Sequence, residues 1–327
     1  MKRAMLACVA ALFVAAAAHA ADEPLKLVPT IPLDAVEGRI DHMSITPDGR
    51  HLFVAALGNS SVEVVDVQSG ARAGSIGGIK EPQGVFFIPE SKKLAIASGG
   101  DSNVRIYDEA LKLVGTVDDL EDADNVRYDP QAKLLYVGYG SGALAVIDPE
   151  KAAKVADIKL DAHPESFRLE SSGNRIFVNV PHSGEIEVVD RVTKQVVAKW
   201  PLTGAQSNFP MSLDEQHHRI FVGCRKPAKM LVIDDQTGKT TAETDCVGDT
   251  DDLFYDAARK RVYISGGAGS ITVIQQADAD HYQVAGNIKT ASGARTSFFS
   301  ADTGELFLAV PHRGNQAAEI RVFKPGD

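Results

Sequence analysis

The chain has 327 residues, of which 44% are hydrophobic and 24% are charged, a composition that excludes an intrinsically disordered protein. Its 44 Asp and Glu against 34 Lys and Arg give a net charge of -10. This acidic balance argues against a nucleic-acid-binding protein, because phosphate contacts need clustered basic residues. A chain of this length can bury a large hydrophobic core without disulfides or structural metals.

The segment 1–20 has the composition of a signal peptide for export. Lys2 and Arg3 are followed by an uncharged apolar run at 4–17, and Ala18-His19-Ala20 is a small-x-small site. We expect cleavage before Ala21, a periplasmic mature protein, and a mature charge of -12 from 32 basic and 44 acidic residues. The apolar run is shorter than the about 20 residues that span a bilayer, and no later segment is long enough, so we expect no membrane span.

One short segment with a hydrophobic strand pattern recurs seven times along the chain. Leu52-Phe53-Val54, Ile176-Phe177-Val178 and Ile220-Phe221-Val222 are three of the copies. The first hydrophobic residues of the seven copies stand 41 to 44 residues apart, at Leu52, Leu94, Leu135, Ile176, Ile220, Val262 and Leu306. A period of this length indicates a repeat architecture.

A second strand pattern follows each of these residues and ends, in the first five copies, with an aspartate. Val62-Glu63-Val64-Val65-Asp66 in the first copy matches Ile186-Glu187-Val188-Val189-Asp190 in the fourth. The aspartate side chain can accept backbone hydrogen bonds in a turn. Each repeat contains four short β-rich runs and no helical periodicity, which is typical of a propeller blade.

The sequence therefore predicts an all-β fold, a single seven-bladed β-propeller at 21–327 with four antiparallel strands in each blade. The seventh copy has three strands and reaches Pro325. A strand-like segment, Leu25 to Ile31, precedes the first complete copy, so we expect it to supply the missing outer strand and close the ring. Closure removes the exposed strand edges of an open array.

The runs Leu52-Phe53-Val54-Ala55 and Leu135-Tyr136-Val137-Gly138, each followed by a strand that ends in Asp, resemble the YVTN-type repeat family of bacterial propellers. The resemblance covers residues 38–325. It implies a seven-bladed propeller and fixes no activity, because family members include partner-binding proteins, surface proteins and relatives of redox enzymes.

Polar residues recur where the chain enters the first strand of each predicted blade. Eleven positions before the first hydrophobic residue of each repeat stand Asp41, Gln83, Asp124, Glu165, Phe209, Asp251 and Arg295. The next positions hold His42, Gly84, Asn125, Ser166, Pro210, Asp252 and Thr296. Because first strands surround the central channel of a propeller, we expect these residues around one opening of the channel.

The residue types at this opening indicate a metal ion or a polar ligand. Carboxylates favour Ca²⁺ or Mg²⁺, so the predicted metal ligands are Asp41, Asp124, Glu165, Asp251 and Asp252. Histidines could shift the preference toward a transition metal. The predicted ligand-binding residues are His42, Gln83, Asn125, His163, His182, Asn208, Arg225, Arg295 and His312. Each loop carboxylate or histidine could instead hold a turn or face solvent.

Two functions from different classes are compatible with the sequence, and the family resemblance implies a redox-partner role as a third. We favour a periplasmic binding module that captures a small polar or anionic molecule, a metal ion or a periplasmic protein without catalysis, and we expect a monomer. The alternative is a metal-dependent hydrolase, lactonase or lyase that uses the same face. The sequence contains no C-x-x-C, H-E-x-x-H or G-x-S-x-G motif, which favours binding.

Cys224 and Cys246 are the two cysteines of the predicted mature chain. They fall in the second and fourth strands of one predicted blade, with a third strand between them. An oxidising compartment permits a disulfide, but this separation can exceed the about 7 Å limit between Cα atoms. The sequence is compatible with a disulfide and with two buried free thiols.

Overall fold

The computed structural model describes residues 23–326, so the predicted signal peptide at 1–20 lies outside the described residues. Within that range, 29 strands form seven antiparallel sheets, and the single helical element is a 3₁₀ turn at Leu57–Asn59. The prediction of a seven-bladed propeller with four antiparallel strands in each blade is confirmed. No helix among the described residues has the length and apolar character to cross a membrane.

The first three blades each consist of four consecutive strands that follow one another from the channel outward. Blade 1 contains β3 (Met43–Ile45), β4 (His51–Ala56), β5 (Ser61–Asp66) and β6 (Ala71–Gly77). Blade 2 contains β7 (Pro82–Ile88), β8 (Lys93–Ser98), β9 (Asn103–Tyr107) and β10 (Leu113–Val117). Blade 3 contains β11 (Val126–Asp129), β12 (Leu134–Tyr139), β13 (Ala143–Asp148) and β14 (Ala153–Lys159).

The next three blades repeat this order. Blade 4 contains β15 (Phe167–Leu169), β16 (Arg175–Val180), β17 (Glu185–Asp190) and β18 (Gln195–Pro201). Blade 5 contains β19 (Gln206–Asp214), β20 (Arg219–Lys226), β21 (Ala228–Asp234) and β22 (Thr240–Asp245). Blade 6 contains β23 (Thr250–Asp256), β24 (Arg261–Gly266), β25 (Ser270–Gln276) and β26 (Tyr282–Lys289).

Blade 7 combines strands from the two ends of the described chain. It contains β27 (Ser297–Ser300), β28 (Glu305–Val310) and β29 (Glu319–Pro325), and its outer strand is β1 (Leu25–Leu27). The short strand β2 (Ile31–Pro32) also pairs with β29. The predicted closure of the ring by the segment that starts at Leu25 is therefore confirmed.

The first strands of the seven blades surround the channel. Each contacts the first strands of both neighbouring blades, in the circular order β3, β7, β11, β15, β19, β23, β27 and back to β3. The third strands, rich in β-branched residues, are almost entirely buried between neighbouring blades. One such cluster joins Tyr136 and Val146 of blade 3 to Phe167 and Ile176 of blade 4. The hydrophobic core therefore lies between blades, which leaves the channel itself free for polar side chains.

The aspartates at the ends of third strands hold the turns to the fourth strands. The Oδ1 atom of Asp66 accepts the backbone N–H of Ser69 at 2.8 Å, and that of Asp190 accepts the N–H of Thr193 at 2.7 Å. The turn role that the sequence predicts for these residues is confirmed.

Candidate functional site

A cavity of about 580 Å³ lies at the end of the channel where the chain enters the first strands. We call it the rim cavity. Its charged lining consists of Glu121, Asp122, Asp124, Glu165, Asp251, Arg39, Arg225 and Arg295. The carboxylates at positions 121, 122, 124 and 165 lie on the segments that lead into blades 3 and 4. The arginines lie on blade 5 and on the segments that enter blades 7 and 1. The volume is in the range of small-molecule binding sites.

The structure brings eight of the predicted site residues to this lining: Gln83, Asp124, His163, Glu165, His182, Arg225, Asp251 and Arg295. The shared strand-entry position explains five of them, Gln83, Asp124, Glu165, Asp251 and Arg295, because the closed ring places equivalent residues of every repeat at one height of the channel. Of the other three, His163 lies two residues before Glu165, His182 follows the second strand β16, and Arg225 belongs to the second strand β20. Their roles as ligands remain predictions.

Six predicted residues lie elsewhere. His42 and Asp252 line a second cavity, whereas Asp41, Asn125, Asn208 and His312 line neither cavity. The fully buried side chain of Asn208 donates to Asn179 Oδ1 and to the carbonyl oxygen of Glu185, each at 3.0 Å. The Nδ1 atom of His312 lies 2.8 Å from Glu37 Oε2. Asn208 therefore links strands inside the fold, and His312 forms an ion pair outside the rim cavity when it is protonated.

His42 is surrounded by three carboxylates at the boundary between the two cavities. Its Nδ1 atom is 3.5 Å from Asp252 Oδ2, and its Nε2 atom is 3.7 Å from Asp41 Oδ1 and 3.8 Å from Asp124 Oδ1. Burial lowers the pKa of His42, but the charges of Asp252, Asp41 and Asp124 outweigh burial and raise it to about 10. The imidazole is therefore a cation at neutral pH and partly neutralises the negative charge of these three carboxylates.

Two arginines of the rim cavity are already paired with carboxylates. Arg39 Nη2 lies 2.7 Å from Asp41 Oδ2, and Arg225 Nη2 lies 2.5 Å from Asp251 Oδ1. The guanidinium carbon of Arg225 also lies 3.5 Å from the centroid of the Phe209 ring, a cation–π contact. Burial raises the pKa of Asp251 to about 7, although Arg225 opposes this shift. These pairs order the basic side of the cavity.

The carboxylates of Asp124 and Glu165 have no arginine partner. The Oδ1 atom of Asp124 is buried and accepts no hydrogen bond, although His42 Nε2 lies 3.8 Å away, and its Oδ2 atom accepts a hydrogen bond from the Asn125 side chain at 3.4 Å. Within residues 23–326 the Glu165 side chain takes part in no hydrogen bond or ion pair. Burial and the charges of Asp124 and Asp251 raise the pKa of Glu165 to about 9, and burial raises the pKa of Asp124. Unpartnered buried acceptors favour a ligand that brings a donor or a positive charge.

A compact group of metal-type ligands occurs outside the channel. In the described part of the chain, Asp161, Glu185 and Glu187 place carboxylate oxygens within 4.8 Å of one another. The five predicted metal ligands of the channel do not form a group of this kind there. Lys199 forms an ion pair with Asp161, so this group already has one cationic partner. A metal ion in the rim cavity would therefore bind only if the carboxylates moved closer together or if the metal ion arrived with ligands of its own.

The second cavity, of about 590 Å³, lies at the opposite end of the channel. We call it the aromatic cavity, because Phe86, Phe254 and Phe298 contribute to its lining, together with Arg127 and Arg168. Sequence reasoning missed these residues and also Arg39. Side chains two positions apart on a strand share a face. The residues ten positions before the first hydrophobic residue of each repeat face the channel, so the residues eight positions before it face the channel too. That alternation is the signal that could have identified them.

The fold and the two cavities define a class of protein, a seven-bladed propeller with an acidic cavity at one end of its channel and an aromatic, basic cavity at the other. No family model matches the chain. The chain is similar to a protein named "Uncharacterized protein YncE" from Salmonella typhi, with 25% identity over 230 residues. It is also similar to the protein of the same name from Salmonella typhimurium strain LT2, with 25% identity over 229 residues. Each match covers 68% of this chain and 64% of the relative, which is less than two thirds of the relative's length.

Solved structures share the architecture at low sequence identity. Kuenenia stuttgartiensis hydrazine synthase matches with a TM-score of 0.76 and 17% identity, over 88% of this chain and 97% of the matched chain. A chain of the mitotic checkpoint complex matches with a TM-score of 0.77 and 12% identity, over 100% and 99% of the two chains. These likenesses establish the propeller fold and no activity.

Proposed function

We propose that the chain is a non-catalytic binding module whose rim cavity takes a small polar ligand with a cationic group. The observation that carries this proposal is the buried Oδ1 atom of Asp124, an acceptor without a donor on the cavity lining. Glu165, which enters the cavity from the next blade, is a second carboxylate without a side-chain partner in the described residues. Leaving a buried acceptor unpaired costs about 1–3 kcal/mol, which a ligand donor would recover.

The distribution of charge favours a cationic group over an anionic one. The three arginines of the lining have carboxylate partners, since Arg295 Nη1 lies 3.1 Å from Asp249 Oδ1 and the other two pair as described above. The buried Nε atom of Arg295 has no acceptor, but an anion that bound all three guanidinium groups would compete with these carboxylates. A cation would instead meet Glu165, whose side chain has no partner in the described residues, and Asp124, whose Oδ1 atom accepts no hydrogen bond although His42 lies 3.8 Å away.

The environment of His42 favours binding over the alternative of metal-dependent hydrolysis. A general base must accept a proton at the working pH, and the pKa of His42 is raised to about 10 by the surrounding carboxylates. His42 also lines the aromatic cavity rather than the rim cavity. His42 is therefore poorly placed to activate water for a ligand in the rim cavity.

Calorimetric titration with putrescine, and separately with Ca²⁺, tests the proposal. We expect binding to the wild type and a loss of about tenfold or more in the Asp124→Asn and Glu165→Gln variants, since each removes a carboxyl group that would face the bound cation. The exposed Glu109, paired with Lys92 at 2.9 Å on the outside of blade 2, supplies the control Glu109→Gln, which should bind as the wild type does. Binding by all variants alike, or no binding of either probe, would contradict the proposal.

Proton release gives a second readout of the same site. Because the pKa of Glu165 is raised to about 9, a cation that binds its ionised form must displace a proton at pH 7.5. The measured heat should therefore change with the ionisation enthalpy of the buffer. Turnover of lactones or esters with Ca²⁺, lost in Asp124→Asn, would favour the hydrolase alternative instead.

We also propose that the protein belongs to the YVTN-type family, is exported to the periplasm and is a monomer. Seven repeats of the strand pattern, together with 25% identity to YncE, support membership of the YVTN-type family. The leader-like segment 1–20 supports export to the periplasm, and the closed ring supports a monomer. Amino-terminal sequencing of the protein from a periplasmic extract should begin at Ala21, and light scattering should give the mass of one chain. An uncleaved chain confined to the cytoplasm would contradict export.

A further inference from the structure

Seven side chains, one from the first strand of each blade, form a ring in the aromatic cavity. In blade order they are Ser44, Phe86, Arg127, Arg168, Ser212, Phe254 and Phe298. The two arginines belong to neighbouring blades 3 and 4, and two of the phenylalanines belong to neighbouring blades 6 and 7, across the channel. The ring therefore has a cationic side that faces an aromatic side.

Neutral acceptors hold both arginines of this ring. Arg127 donates to the carbonyl oxygens of Phe167 and Val126 at 3.2 and 2.8 Å, and to Asn125 Oδ1 at 3.0 Å. Arg168 Nη1 donates to the same Phe167 oxygen at 3.2 Å. In residues 23–326 neither guanidinium has a carboxylate oxygen within 4.0 Å. The two positive charges therefore converge on one carbonyl oxygen without a counterion in contact.

The carboxylate that acts electrostatically on both arginines is Asp252, and it is occupied by other donors. Its Oδ2 atom accepts the backbone N–H of Ser297 at 2.9 Å and lies 3.5 Å from His42 Nδ1. Burial lowers the pKa of Arg127 to about 10, and burial together with the charge of Arg127 lowers that of Arg168. Both shifts reflect positive charge that lacks compensation, which an anion in the cavity would supply.

We propose that the aromatic cavity binds a small aromatic carboxylate, with its carboxylate group between Arg127 and Arg168 and its ring against Phe254 and Phe298. Guanidinium groups bind carboxylates through paired charge-assisted hydrogen bonds. The rings of Phe254 and Phe298 meet edge to face at 5.9 Å, and the guanidinium carbon of Arg168 is also 5.9 Å from the Phe254 centroid. A ligand ring would thus meet aromatic surface within reach of the charged pair.

This second site is independent of the ligand proposed for the rim cavity. The two cavities share no lining residue, and their chemistry differs, with five carboxylates on the lining of the rim cavity and two guanidinium groups without a carboxylate in contact in the aromatic cavity. The volume of about 590 Å³ accommodates a bicyclic aromatic acid. Binding of an aromatic acid in the aromatic cavity therefore does not depend on whether the rim cavity binds a cation.

The test compares 2-naphthoate with neutral 2-naphthalenemethanol in calorimetric titrations of the wild-type protein. We expect the acid to bind at least about tenfold more tightly than the alcohol, because only the acid forms charge-assisted hydrogen bonds with the arginines. Arg127→Gln and Arg168→Gln should each weaken naphthoate binding about tenfold or more. Arg321→Gln is the matched control, because Arg321 on β29 pairs with Glu319 at 2.7 Å and lines neither cavity. That variant should keep the wild-type affinity.

Equal affinity for the acid and the alcohol would overturn the proposal, and so would unchanged binding in folded Arg168→Gln or no binding of naphthoate at millimolar concentration. Thermal melting establishes that each variant is folded. The comparison of acid with alcohol needs no variant, so it decides the question even if loss of an arginine unfolds the protein. Putrescine and naphthoate are separate probes with separate variants, so the failure of cation binding in the rim cavity is distinguishable from the failure of this proposal.

Discussion

The imidazole Nδ1 of His42 lies 3.5 Å from Oδ2 of Asp252, and this ion pair stands between the two cavities of the channel. Both residues line the aromatic cavity, whereas the other ring nitrogen of His42 faces Asp124 of the rim cavity at 3.8 Å. The backbone N–H of Ser297 fixes the same Asp252 oxygen at 2.9 Å. The pair therefore divides the channel into two sites with different electrostatic character.

Replacement of His42 should flatten the dependence of stability on pH. The pKa of His42 in the folded protein is about 10, above its usual value of 6.5, so its protonation stabilises the fold fully below pH 6.5. That contribution is lost as the pH rises through about 10, with a slope of up to about 1.4 kcal/mol per pH unit. Urea denaturation between pH 7 and 10 should show a smaller loss of unfolding free energy in His42→Gln than in the wild type.

Glu165 contributes to the same trend. Its pKa is raised to about 9 in the folded protein, so its contribution to stability is also lost as the pH rises to about 9, whereas that of Asp251, with a pKa of about 7, is lost mainly below pH 7. His42→Gln should therefore retain part of the slope. His281→Gln replaces an exposed histidine and should keep the full wild-type slope. Equal slopes for His42→Gln and the wild type would mean that His42 is not a buried cation.

Two buried glutamates occupy the same position of the third strand in different blades and should respond differently to mutation. Glu63 on β5 accepts the hydroxyl groups of Ser61 and Ser75 at 2.5 and 3.0 Å and lies 3.3 Å from Arg72 Nη1. Its counterpart Glu187 on β17 is also fully buried. Both carboxylate oxygens of Glu63 therefore have hydrogen-bond partners inside the fold.

Glu187 has a less favourable environment. Its Oε1 atom accepts the N–H of Asp161 at 2.8 Å, but its Oε2 atom is buried without a partner. Burial raises the pKa of Glu187, so its charge destabilises the fold at neutral pH and not at pH 4. Glu63→Gln should cost about 1–3 kcal/mol, whereas Glu187→Gln should be neutral or stabilising at pH 7. Urea denaturation of both variants checks this, and the opposite order would contradict it.

The fold could be predicted from sequence because the repeat carries the information seven times. A period near 42 residues, with Leu52 or its equivalent at each copy, constrains strand number and order more strongly than the pattern of any one strand. The closing role of the segment at Leu25 followed from counting strands, since the seventh copy has three. Local propensity alone would not have paired β1 with β29, because the two strands lie at opposite ends of the chain.

The sequence predicts where the site lies, but not which of its polar groups are free to bind a ligand. The repeat places Glu165 and Arg225 at one opening, and the structure agrees. Spacing carries no information on which polar group another blade already satisfies, so the sequence could not distinguish Asn208, whose amide donates to groups inside the fold, from Asp124, which lines the rim cavity. The pair of Arg127 and Arg168 was missed because these residues lie beyond the strand entry, inside the first strands.

Cys224 and Cys246 should stay reduced and unreactive in the native protein. Both are free, and β21 lies between the strand of Cys224 and the end of β22, which precedes Cys246. Burial raises the pKa of each thiol to about 12, so little thiolate is present at pH 8. We expect slow reaction with Ellman's reagent until urea is added, and no change in melting temperature with dithiothreitol. A mass lower by two hydrogens that is restored by reduction would identify a disulfide instead.

The closing strand offers a test of ring closure with a control in the same strand. Leu25 and Leu27 of β1 pair with Pro325 and Phe323 of β29, but Leu25 is fully buried whereas Leu27 is 54% exposed. Leu25→Ala should lower the free energy of unfolding by about 2–5 kcal/mol, because it leaves a void between blades 6 and 7. Leu27→Ala should change it by about 0.5 kcal/mol or less. Both variants keep the same backbone hydrogen bonds, so the comparison isolates the side chain of Leu25. Equal, small effects of the two substitutions would mean that burial of Leu25 contributes little to ring closure.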